Sequence, residues 1–109
     1  MKKREIVKKE QEFSNLISNA PKRSNKYYSI FLAKNNLSYS RFGITISSKS
    51  GNAVIRNKYK RRVKNIIDEN KFMFEKGFDY IIIIRKACIG LLYLDLKNYL
   101  IAAYQEEKK

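Results

Sequence analysis

Asn52 to Ile67 reads NAVIRNKYKRRVKNII. Six of these residues are cations (Arg56, Lys58, Lys60, Arg61, Arg62 and Lys64) and none is an acid. An α-helix turns about 100° per residue. At that angle Ile55, Tyr59, Val63, Ile66 and Ile67 gather into one apolar arc. The stretch is therefore an amphipathic helix, with one face to dock on a core and a cationic remainder. Asn52 is placed to cap it, its side-chain oxygen accepting from a free amide of the first turn, and the helix is predicted to run to about Asn70. Arg56, Lys60 and Lys64, spaced i, i+4 and i+8, line one shoulder of the arc. Arg62 lies near the opposite shoulder, while Lys58 and Arg61 point outward.

The flanking residues supply what the helix docks on. Upstream, YSRFGITIS (Tyr39–Ser47) alternates, with Phe42, Ile44 and Ile46 on one face of a strand. Downstream, FDYIIIIR (Phe78–Arg85) reads as a central strand buried on both sides. YYSIFLA (Tyr27–Ala33) is a further strand by its aromatic and β-branched content. Tyr28, Ile30 and Leu32 share one of its faces and Tyr27, Ser29 and Phe31 the other. Around Glu10–Ser18, Phe13, Leu16 and Ile17 mark a short amphipathic helix, which Pro21 ends. A last helix from about Leu94 to Glu107 places Leu96, Tyr99, Leu100 and Ala103 on one face. The order helix, strands, helix, strand, helix gives an α/β chain of the two-layer α+β sandwich kind.

The chain has 109 residues, which suits one domain over 1–109, with a basic start at 1–9. Its 24 Lys and Arg outnumber 10 Asp and Glu, for a net charge of +14. Such an excess draws nucleic acid or an anionic surface. A solvated helix face is the plain alternative for the stretch at 52–67. Two features weigh against it. Surface helices usually intersperse Glu with Lys for i,i+4 attraction, and these cations sit toward the helix N-terminal half, where the macrodipole disfavours them. A locally unfavourable arrangement makes sense if a polyanion compensates.

The sequence contains no histidine and a single cysteine, Cys88. His-based acid–base chemistry, Ser-His triads and Cys or His zinc sites are thereby excluded, as is an internal disulfide. A reducing cytoplasm is the expected home. The longest apolar run is too short to span a bilayer, so no membrane partner is expected, and no obligatory protein partner is evident. No catalytic residue is expected on this chain. Several aromatic residues lie on the predicted strands, and a sheet face with exposed rings can stack unpaired bases.

The segment RFGITISSKSGNAVIRNKYKRRVKN closely resembles the signature of the bacterial ribonuclease P protein subunit. That family shows a Gly-Asn-Ala-Val step, here Gly51 to Val54, one further residue, and then Arg-Asn-Arg-x-Lys-Arg-x-x-Arg. The basic first segment and DYIIIIRK resemble the family in the same order along the chain. The resemblance implies a central sheet of about four strands with three helices and a left-handed βαβ crossover, an exception to the usual hand. It implies a catalytic RNA as partner and precursor tRNA as substrate, whose 5′ leader the RNA removes using Mg²⁺ bound mainly by RNA and substrate. The protein would be an accessory subunit, gripping RNA through Arg56, Asn57, Lys58, Lys60, Arg61, Lys64 and Lys49. The leader would lie in a cleft between the first helix and the sheet, with Phe13, Ile17, Tyr28 and Phe31 as candidate walls. A one-residue shift would put Ile30 in place of Phe31. Lys58 and Lys64 replace arginines and lose the planar fork, and Ile17 stands where a second aromatic is common. A basic ribosomal or ribosome-assembly protein is the rival reading.

Overall fold

The computed structural model describes Ile6 and residues 21–105. Four strands form one mixed sheet: β1 (Lys22–Ser24), β2 (Tyr28–Lys34), β3 (Arg41–Ile46) and β4 (Phe78–Ile84), in the order β1-β2-β4-β3. β2 pairs antiparallel with β4, Ile30 opposite Ile82. β3 pairs parallel with β4, Ile44 opposite Ile82. A parallel neighbour cannot be reached by a tight turn, and the connection between β3 and β4 carries helix α1 (Ala53–Glu69). Helix α2 (Tyr93–Gln105) follows β4. The expected helix at 10–18 lies outside the described residues, as do Phe13 and Ile17.

β4 holds the sheet together, since it lies between β2 and β3, and its alternation divides the interior. Tyr80, Ile82 and Ile84 face the helices, where they join Tyr28 and Ile30 of β2, Phe42 of β3, Val63, Ile66 and Ile67 of α1, and Leu96 and Leu100 of α2. Ile81 faces the other way and is fully enclosed, with Phe31, Ala33 and Ile83 packed around it. The isoleucine run is thus buried on both sides, as the absence of alternation in its hydropathy predicts. At the α1 side of the core, Phe42, Phe74 and Tyr80 form an aromatic cluster with centroids 5.3–5.5 Å apart, distances typical of edge and offset ring packing.

Strand β1 has no apolar pattern to announce it. Backbone pairing with β2 and the adjoining turn hold it in place. Asn25 Oδ1 accepts from the amides of Tyr27 and Tyr28, both at 2.9 Å. Arg23 donates to the carbonyl of Tyr104 on α2 at 2.7 Å. Tyr99, expected on the buried face of the last helix, is partly exposed and stacks on Tyr27 at a centroid distance of 3.9 Å.

Candidate nucleic-acid interface

Three residues fix the start and seating of α1. Asn52 Oδ1 accepts from the Ile55 amide at 3.0 Å, closing the N-cap. Gly51 has φ 150°, and a β-carbon there would stand 3.2 Å from the Ile55 side chain. Only glycine enters the helix so closely over Ile55 without displacing it. Farther along, the Tyr59 hydroxyl accepts from the Gly90 amide at 2.8 Å, tying the buried arc to the loop before α2.

With the arc committed downward, the cations must emerge around it. Arg62 sits over the Tyr59 ring, 5.4 Å from its centroid, and so is engaged within the fold. Lys60, Arg61 and Lys64 face the β3 side. With Phe42, Ile44 and Ile6 they line a cavity of about 370 Å³. Ile6 is bridged in parallel to Phe42, alongside β3. Arg61, placed outward by the helical wheel, is exposed yet forms part of this wall. Arg56 is half-buried, and its Nε is enclosed without a hydrogen-bond partner among the described residues. It does not join Lys60 and Lys64 at the cavity. Asn57 and Lys58 are exposed, and Lys49 is exposed on the turn Ser48–Ser50 between β3 and α1.

The electrostatics of α1 run against its own dipole. Its first turn holds no acid and its last turn no base, the reverse of the favourable arrangement. Its acids come last and are occupied: Asp68 pairs with Lys71 at 3.8 Å, and Glu69 accepts from the Tyr93 hydroxyl at 2.5 Å. Among the described residues no carboxylate is ion-paired with Lys58, Lys60, Arg61 or Lys64. Helix α1 therefore presents a cationic surface that nothing described neutralises.

The second sheet face carries a different chemistry. Phe31, Ala33 and Ile83 surround Ile81 and keep part of their surface accessible. Asp79 lies at one end of this face, buried, and accepts from Arg41 Nε at 2.8 Å and Asn35 Nδ2 at 2.9 Å. The Arg41 fork thus engages its carboxylate at both ends, at 2.8 and 2.5 Å. Phe31 is on this face. Tyr28 is not, which corrects its assignment to the cleft. It is fully buried on the helix side, donates to the Leu96 carbonyl at 2.9 Å, and has its hydroxyl pKa pushed far up by burial. Side chains on a strand alternate, so the odd position of Phe31 excludes the even position of Tyr28. The same parity excludes Ile30, which is also core.

Known proteins share this arrangement. The ribonuclease P family profile matches residues 1–107. The chain belongs to the ribonuclease P protein family. It is 35% identical over 106 residues to the ribonuclease P protein component of Bacillus cereus strain 03BB102, covering 96% of this chain and 92% of that one. The Bacillus mycoides counterpart matches to the same extent. Among solved structures, the RNase P protein from Thermotoga maritima superposes with a TM-score of 0.86 at 28% identity, covering 96% of this chain and 99% of that one. The RNase P protein of Staphylococcus aureus gives 0.85 at 26% identity, covering 93% of each chain. The family signature falls on the start and cationic flank of α1, and Gly51 and Asn52 of its Gly-Asn-Ala-Val step are the residues that set the helix entry.

Among the described residues no three His, Cys, Asp or Glu side chains come together. No described helix is long and apolar enough to cross a membrane. Sequence reasoning missed the floor of the cavity. Alternation places Phe42 and Ile44 on one strand face, but nothing in the order of residues sets β3 at the sheet margin beneath Lys60 and Lys64.

Proposed function

We propose that this chain is the RNA-binding accessory subunit of a ribonuclease P holoenzyme, the endoribonuclease that removes the 5′ leader of precursor tRNA. The observation that carries this reading is α1: a helix docked by an apolar arc, whose exposed cations no described carboxylate neutralises and whose charge runs against its own dipole. Lys58, Lys60, Arg61 and Lys64, with Asn57 and Lys49, grip phosphates of the catalytic RNA. Each phosphate contact releases counterions, and that release supplies sequence-independent affinity. Arg56 adds a guanidinium at the first turn of the helix.

The leader of precursor tRNA runs over the second sheet face, where Phe31 offers a ring to an unpaired base. The Arg41–Asp79 pair keeps one end of that face rigid. The chain contributes position and charge, and Mg²⁺ is held by the phosphates of RNA and substrate. The test is reconstitution with the catalytic RNA at low Mg²⁺. The protein should restore cleavage at the mature 5′ end, and the protein alone should not cleave. Cleavage by the protein without RNA, or no stimulation at any salt concentration, overturns the proposal.

A further inference from the structure

The cavity between α1 and β3 has a composition that a phosphate grip alone does not require. Lys60, Arg61 and Lys64 form its cationic wall, while Phe42, Ile44 and Ile6 form an apolar floor and side. Lysines that neutralise backbone phosphates serve equally well on an open helix face. An apolar recess beside them adds nothing to that contact and leaves hydrophobic surface in water. Its volume of about 370 Å³ lies in the range of small-ligand sites, roughly 300–1,000 Å³. The ligand that matches both halves carries a flat apolar group and a phosphate.

We propose that this cavity receives one unstacked nucleotide of single-stranded RNA. Its base lies against Ile44 under the Arg61 guanidinium, and its phosphates lie on Lys60 and Lys64. Ile44 is half-buried on the helix-facing side of β3, so it can offer surface to a base while still supporting the core. Arginine suits the rim because its planar guanidinium stacks on a base, which an ammonium does not. The lysines, one helical turn apart, act as point charges. This site is separate from the Phe31 face, which lies on the other side of the sheet. The proposal rests on the RNA-binding reading and names the moiety that α1 takes from its partner.

The test uses full-length protein labelled at the isoleucine δ1 methyls. It is titrated with uridine 5′-monophosphate, with ribose 5-phosphate and with a single-stranded RNA octamer. The Ile44 methyl should shift with the octamer and not with ribose 5-phosphate. A matching shift with the free nucleotide would show that the site accepts the nucleotide alone, and a shift with the octamer only would assign it to RNA-borne bases. Either result supports the site. An unmoved Ile44 methyl, or an equal shift with ribose 5-phosphate, overturns it. Arg61→Lys keeps the charge and removes the plane. It should lower the preference for the octamer over an all-abasic ribose-phosphate oligomer by about threefold to tenfold, with the salt dependence unchanged. An unchanged preference also overturns the site. Cleavage by the reconstituted holoenzyme in the same preparations separates this failure from failure of the accessory-subunit reading: normal stimulation with a silent cavity rejects the nucleotide site alone.

Discussion

Replacing both Lys60 and Lys64 by alanine removes two cations from one wall of α1 without touching its buried arc. Neither lysine is ion-paired with a described carboxylate, so no described acid is left unpaired and the fold should keep its melting temperature. Each phosphate neutralised on RNA adds about 0.7 to about 0.9 to the slope of log affinity against log salt. Losing two contacts flattens that slope by about 1.4 to about 1.8. Between about 50 and about 200 mM salt, a fourfold change, the affinity deficit of the double variant should therefore shrink by about sevenfold to twelvefold. The assay is filter binding of the catalytic RNA at several salt concentrations, with Arg62→Ala as the control. Arg62 is engaged over Tyr59, so its loss should cost about 0.5–1 kcal/mol of stability and change the slope less than either lysine does. A double variant with the wild-type slope would refute the assignment of these lysines to phosphate.

Three further outcomes follow from the geometry. Gly51→Ala should destabilise the protein by about 1–3 kcal/mol, because its β-carbon would meet Ile55 at 3.2 Å in a backbone conformation with φ 150°; an unchanged melting curve would mean that the helix entry relaxes freely. Phe31→Ala should weaken binding of leader-bearing substrate to the holoenzyme by about 1–3 kcal/mol while leaving mature tRNA binding unchanged, and equal loss for both would remove Phe31 from the leader path. Burial pushes the Cys88 thiol from 9.0 up to about 11, so its folded form holds the proton more tightly than the unfolded chain does. The stability it contributes is complete below pH 9 and is lost as pH rises through about 11. Cys88→Ala should flatten the fall of chemical-denaturation stability over that window, and an unchanged slope would show that the thiol does not titrate differently on folding.

Much of the fold could be read from period and chemistry. The apolar arc of α1, the cap at Asn52 and the two-sided burial of the isoleucine run all follow from residue spacing. β1 could not be read, because Lys22, Arg23 and Ser24 have no apolar alternation and owe their strand to pairing with β2 and to the Asn25 turn. The candidate site was legible in the same uneven way. Parity made Tyr28 and Phe31 mutually exclusive, but only the packing of α2 against Tyr28 decides which one faces away from the core. A helical wheel places Arg61 by its own axis alone, whereas in the fold it lines the cavity together with Phe42 and Ile44 of β3. The composite cavity depends on strand order, which is a long-range property.

The most direct measurement compares precursor tRNA with and without its 5′ leader, each bound to the catalytic RNA alone and to the RNA with this protein. The protein should raise affinity for the leader-bearing substrate well above its effect on the leaderless one, and the gain should fall with Phe31→Ala. Equal gains for the two substrates, unaffected by Phe31, would contradict a chain that holds the leader on its sheet while α1 grips the RNA.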